Sequence, residues 1–284
     1  VKEAIEIGRQ AKLPIHISHI KCLGADVWAK SDEVIQLIDS GIAEGIEITA
    51  NQYPYDASAT GLRPAVVPRW AESGGLDSLL YRYDQSKLKQ QILKETKINI
   101  ARRGGPDKIL ITRVKDTNYL NKNLLEISKL LNTSPQKAVF KILQKGDAGI
   151  TSFNMTSKDI INFMQQPWLV TGSDGGKNHP RRYGSFSRKY NKYVKEEKVI
   201  SLARFINNSS SKTAEIIKIP KRGKLLVGYY ADVIIFDAEK FKDKADYIHT
   251  NELSEGLRYS IINGKLTIDQ GVFNAALNGR ILSK

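Results

Sequence analysis

The chain has 284 residues, and its 44 Lys+Arg against 30 Asp+Glu leave a formal net charge of +14. A composition of 41% hydrophobic and 26% charged residues is that of a globular protein and excludes collagen-like, disulfide-scaffold and fully disordered readings. No apolar run approaches the roughly 18 residues that a membrane-spanning helix needs, so no membrane partner is expected. The lysines are scattered, without the clustering and interleaved aromatics of a nucleic-acid surface, so no nucleic-acid partner is expected either. A solvated basic surface remains, and it suits an anionic substrate.

In chain order, VKEAIEIGRQAKLP reads as an amphipathic helix already in progress at Val1, which is not a methionine, so a missing upstream segment is expected. LPIHISHIK follows as a buried strand. SDEVIQLIDSGIAEG carries a Ser cap, early acidic residues and helical spacing, and GIEITANQYPY is the next strand. LDSLLYRYDQSKLKQQILKETKINIARRG reads mostly as helix. KILITRV is a continuous run of the kind found in parallel sheets covered on both faces. NLLEISKLLN is helical, SPQKAVFKILQKG starts with a cap and a proline at the first helical position, and TSKDIINFMQQ is a short helix. PWLVTGSDGG is a strand running into a glycine-rich turn. Strands near residues 14, 46, 109 and 168, alternating with helices, predict βαβ units around a parallel sheet. Four strands are half of a (β/α)8 barrel. From residue 219 onward the pattern turns to strands with hairpins at Asn263-Gly264 and Asp269-Gln270-Gly271, predicting a small β-domain over 219–284 behind an α/β domain over 1–218.

Reactive groups in parallel α/β folds sit at the carboxyl ends of strands. The strand at Leu13 ends in His16-Ile-Ser-His19-Ile-Lys21, where His19 at the exit is a candidate metal ligand or a loop-bonded histidine. Cys22, the single cysteine, is weighed as a thiol nucleophile beside it and set aside. The second strand ends in Asn51-Gln52-Tyr53-Pro54-Tyr55-Asp56, whose two phenols line a pocket or form an apolar lid. The last ends in Gly172-Ser173-Asp174-Gly175-Gly176, where Asp174 is a metal ligand and general base or simply a turn residue. Arg181, shortly after, has the planar fork suited to a carboxylate. No Walker loop, GxGxxG, GxSxG or CxxC pattern is present, and His249 reads as a surface residue.

Together these segments resemble the N-acyl-D-amino-acid deacylase (D-aminoacylase) family of the amidohydrolase superfamily. The resemblance is carried by ISHIK, GIEITANQYPYDAS, the WAESGG stretch at Trp70, PWLVTGSDGGKNHPRRYGSFSRKYNKYVKEE and the tail KRGKLLVGYYADVIIFD with SIINGKLTIDQG. It implies the carboxyl-terminal half of a TIM-like barrel, strands five to eight, with a small β-sandwich-type domain. The implied reaction is hydrolysis of an N-acyl-D-amino acid by zinc-activated water. His19 and Asp174 would be metal ligands, Asp174 also the base, Arg181 the holder of the substrate carboxylate, and Tyr53 and Tyr55 pocket residues. The family's first-strand His-x-His pair and bridging ligand lie before the region matching Val1, Tyr53 stands where some relatives have a histidine, and Asn51 stands where an aspartate is expected. The zinc site is therefore expected to be incomplete in this chain, completed by a missing amino-terminal half or by a homo-oligomer. The alternatives are a non-catalytic remnant or binding protein of the same fold, and an amidohydrolase acting on cyclic amides. Compartment stays open, with the cytoplasm preferred.

Overall fold

The computed structural model describes residues 1–282. In chain order the elements are α1 (Lys2–Ala11), β1 (Ile15–Ile17), α2 (Ser31–Ala43), β2 (Ile48–Gln52), β3 (Ala57–Gly61), α3 (Leu62–Val66), α4 (Arg69–Glu72), α5 (Gly75–Asp84), α6 (Ser86–Arg102), β4 (Ile109–Arg113), α7 (Leu124–Leu130), α8 (Pro135–Leu143), β5 (Gly149–Phe153), α9 (Ser157–Met164), β6 (Leu169–Thr171), α10 (Arg181–Arg188), α11 (Leu202–Ser209), α12 (Ser211–Ile216), β7 (Val233–Phe236), β8 (Leu257–Ile262), β9 (Lys265–Asp269) and β10 (Val272–Phe273). A π-helix over Lys189–Glu196 continues α10. The chain is mixed α/β and divides into two compact units. One comprises Val1–Lys21, Ser31–Pro54 and the chain from Ile160 onward, and the other Cys22–Lys30 and Tyr55–Asp159. The boundary expected at 218/219 falls inside the first unit, and the last two residues of the expected β-domain lie outside the described ones.

The first unit holds a parallel sheet in the order β1-β2-β6, with Ile15 to Ile17 opposite Ile48 to Ala50 and Ala50 to Gln52 opposite Leu169 to Thr171. The pleat follows the sequence: Ile48, Ala50 and Gln52 are buried, whereas Thr49 and Asn51 lie on a more open face that they share with His16. α1 lies close on β1 because Gly8 has no Cβ, which would come within 2.6 Å of Ile15 Cγ1. The tail forms an antiparallel sheet, β10-β9-β8-β7, with turns at the two expected hairpin positions.

The second unit corrects one expectation. KILITRV is β4, and it pairs antiparallel with β5 in a sheet ordered β3-β5-β4 rather than joining a parallel set. Its burial alternates, with Ile109 and Ile111 fully covered while Leu110 and Thr112 are half-buried, so it is covered mainly on one face. An all-apolar run cannot show that difference in sequence. Around it Leu62, Val66, Leu79, Ile92, Leu124, Ile127, Phe140 and Ile150 close an apolar core. The stretch expected to be mostly helix is two helices, α5 and α6, separated at the extended Gln85.

Candidate active site

The carboxyl ends of β1, β2 and β6 bring the first unit's candidate residues together. Beyond β1 the chain turns at His19, whose φ of 42° lies in the left-handed region. The His19 backbone N–H donates to Asn51 Oδ1 at 2.8 Å, and the N–H of Ile20 donates to the Asn51 carbonyl at 2.8 Å. Lys21 then reaches Tyr53, donating from Nζ to the phenol oxygen at 3.1 Å while lying 4.8 Å from the ring centroid. Burial pulls the Lys21 ammonium down to about 8, against the Asp174 carboxylate, which raises it.

Tyr53 is 3% exposed, and it also carries the Arg181 guanidinium 4.6 Å from its ring centroid. Burial first, and the Asp174 charge after it, push the phenol up to about 12 against the opposing pull of Arg181, so Tyr53 is a neutral hydroxyl at physiological pH. Beyond β6, Asp174 adopts a left-handed φ of 44° and its Oδ2 accepts from Arg181 Nη2 at 2.9 Å. The Arg181 side chain is buried, and its Nε and Nη1 have no hydrogen-bond partner among the described residues. A guanidinium with unsatisfied N–H groups has donors left for planar oxygens.

Two members of this cluster are not singled out by the sequence reading. His179 is fully buried; its Nδ1 accepts from the Arg181 backbone N–H at 3.1 Å, which places the proton of the neutral ring on Nε2. The ring meets Tyr53 and Tyr247 edge-on, at centroid distances of 6.3 and 5.4 Å. Lys21 is the other, and its position two residues beyond His19 at a strand exit is the signal that could have found it. His249, expected at the surface, is exposed and pairs with Asp246. Cys22 is buried in the second unit. Tyr55 also belongs to the second unit, where it is 2% exposed.

A metal ion does not fit the side chains assembled here. Among the described residues there is no group of three or more His, Cys, Asp or Glu able to hold one. Asp174 is already paired with a guanidinium, with the Lys21 ammonium also acting on this site. A closed or catalytic zinc site needs at least three protein ligands. What this cluster can do unaided is hold a carboxylate against Arg181 and present a second carboxylate beside it.

Known amidohydrolases resemble this chain in sequence and fold. The resemblance is to the N-acyl-D-amino-acid deacylases among them. An N-acyl-D-glutamate deacylase of Alcaligenes xylosoxydans xylosoxydans is 26% identical over 268 residues, 93% of this chain and 47% of that one. The crystal structure of the N-acyl-D-glutamate deacylase of Bordetella bronchiseptica, complexed with zinc and a phosphonate inhibitor, superimposes with a TM-score of 0.77 at 24% identity, covering 98% of this chain and 51% of that one. A D-aminoacylase with a binuclear metal centre gives 0.79 at 25% identity, covering 100% and 52%. No family model matches the chain. The chain spans about half the length of these relatives.

Proposed function

We propose that this chain is the carboxyl-terminal portion of an amidohydrolase that cleaves the amide bond of N-acyl-D-amino acids. The observation that carries the reading is the buried Arg181 guanidinium, unfilled at Nε and Nη1 and already seating one carboxylate. An N-acyl amino acid offers the matching group, a carboxylate fixed next to the scissile amide. On this reading Arg181 grips the substrate carboxylate, and Asp174 takes a proton from the attacking water and delivers it to the leaving amine. Tyr53 and Lys21 line the pocket and keep it polar without a further negative charge. His19 and Asp174 are the residues this chain would offer toward the relatives' zinc, and the other ligands have to come from a segment preceding Val1 or from a second chain. The sheet β1-β2-β6 is then part of a TIM-like barrel within residues 1–218, and residues from 219 onward a small β-domain.

The Asp174–Arg181 pair and the lack of a three-ligand group among the described residues also support a second reading, a binding protein that keeps the carboxylate grip without hydrolysis. The protein purified from its native source separates the two. Its intact mass and amino-terminal sequence, its zinc content and its turnover of N-acyl-D-, N-acyl-L- and cyclic amide substrates are measured together. Zinc with D-selective turnover is expected. Tight binding of N-acyl amino acids without turnover establishes the second reading, and cleavage of cyclic amides alone moves the activity to another amidohydrolase class. Arg181→Lys in the active protein should raise KM about tenfold, because a point charge replaces a two-toothed grip. An unchanged KM places the carboxylate site elsewhere.

A further inference from the structure

His19 is tied to the sheet through a chain of hydrogen bonds whose direction is set by one group that can only donate. The His19 backbone N–H points at the Asn51 amide at 2.8 Å, so the atom it meets is Oδ1. The other end of that amide is therefore Nδ2, a donor, and it lies 2.8 Å from His16 Nε2. Nε2 must then carry the lone pair, which puts the ring proton on Nδ1, 2.8 Å from Thr49 Oγ1. Thr49 accepts from it and directs its own proton to the Ile15 carbonyl at 3.4 Å. Register explains why these residues meet: His16 is opposite Thr49 in the parallel pair, and Asn51 follows two residues on, on the same face. Space for the amide comes from Gly172, where a Cβ would lie 2.6 Å from Asn51 Oδ1.

We propose that Asn51 is a positioning residue, which together with His16 and Thr49 forms a one-way hydrogen-bond chain that holds the left-handed turn presenting His19 and requires His16 to be the neutral Nδ1–H tautomer. The importance of that turn to catalysis rests on the deacylase reading; the hydrogen-bond chain itself does not. A consequence is that protonating His16 and holding His19 exclude each other. A proton on Nε2 would face the Asn51 amide donor, and turning the amide over to accept it would aim Nδ2 at the His19 N–H. Among the described residues, the neighbouring strand positions on this face are uncharged: β2 presents Thr49 and Asn51 and β6 presents Val170. Burial alone lowers the affinity of His16 for a proton. An aspartate at 51 would act in the opposite sense, accepting from both the His19 N–H and a protonated Nε2.

The test is a long-range 1H–15N spectrum of the 15N-histidine-labelled chain, recorded across a pH titration, with His16→Gln assigning the ring. Neutral His16 should show a protonated Nδ1 and a bare Nε2, and Asn51→Asp should reverse the tautomer and lower the acid dissociation constant of His16 tenfold or more. Protection of the His19 amide from exchange, taken relative to the intrinsic rate at each pH, should fall as His16 is protonated in the native chain. A protonated Nε2 in the neutral ring, or a tautomer and dissociation constant unmoved by Asn51→Asp, overturns the proposal. Should Asn51→Asp not fold, the native tautomer and the pH dependence of His19 exchange decide by themselves. The deacylase reading fails separately, if the tautomer is as stated while the whole native protein neither binds nor cleaves N-acyl amino acids.

Discussion

The strand ends of the first unit and the core of the second are built on opposite terms. In the second unit several local helix signals agree with the final structure. α7 begins with a capping box in which Asn123 and Glu126 satisfy each other's backbone, α8 has Pro135 at its first position, and Tyr83 stacks on Phe140 at 3.9 Å with the rings 7° apart. At the strand ends of the first unit, Tyr53 and Arg181 are buried and Lys21 half-buried near Asp174, His19 and Asp174 stand at positive φ, and two guanidinium nitrogens of Arg181 are buried without partners among the described residues. Each such feature is unfavourable on its own, and a sequence keeps them together where chemistry needs them. The second unit is arranged for stability, and the strand ends of the first, on the proposed function, for a ligand.

That contrast predicts which substitutions remove activity and which remove stability. On the deacylase reading, Asp174→Asn should lower turnover of the whole zinc-loaded protein on the order of a hundredfold or more, a far larger effect than the stability lost when the buried Arg181 gives up a carboxylate that is itself 36% exposed. Single-turnover rates beside calorimetry check it, and retained turnover would take Asp174 out of the base role. Phe140→Ala in the second unit should do the reverse, costing about 3–5 kcal/mol in denaturant unfolding by emptying a fully packed site. If it instead changes KM with stability intact, the division of labour fails.

The same contrast explains how much could be read in advance. The strands at 15–17, 48–52 and 169–171 are legible because short apolar runs end at polar or glycine-rich exits, and both tail hairpins are legible from their turn residues. The direction of β4 is not, since Ile-Leu-Ile carries no polar residue to mark its open face. α10 is hidden in HPRRYGSF because arginine, glycine and serine give no apolar stripe, and α11 and α12 run through the NNSSSK stretch because Ser201 accepts from the Arg204 N–H and opens the first of them. Within the candidate site, His19, Tyr53, Asp174 and Arg181 are proposed from strand exits. Their pairing is not, because the Asp174–Arg181 contact closes across an irregular turn whose shape no periodicity encodes.

Lys189 tests whether the first unit's tolerance for buried charge extends behind its sheet. It is 1% exposed, and its Nζ donates to Thr171 Oγ1 at 3.0 Å at the end of β6. Burial, with Arg204 adding to it, pulls the amine down to about 7. Since the unfolded chain then holds a proton that the native chain lacks, stability should rise with pH between about 7 and 10.5. Below that window both states are protonated and the full penalty applies. Lys189→Met should therefore stabilise the protein by on the order of 2–3 kcal/mol at pH 6 and progressively less toward pH 10, read by denaturant titration at each pH. A gain independent of pH would mean that the methionine acts by packing alone.

The smallest effect tests the second unit on its own terms. Asn123→Ala removes the acceptor for the Glu126 N–H and leaves the Glu126 carboxylate holding the N–H of residue 123 from one side only. The expected loss is about 1 kcal/mol. It should appear as faster amide exchange in the first turn of α7, with catalysis by the whole protein unchanged. Leu124 and Ile127, the next residues of that helix, are fully buried in the core, so a loss well above that value would show the cap and the core coupled rather than additive. In that case the second unit, too, would depend on a few polar contacts, and its difference from the strand ends of the first would lie in where those contacts are placed rather than in how many it needs.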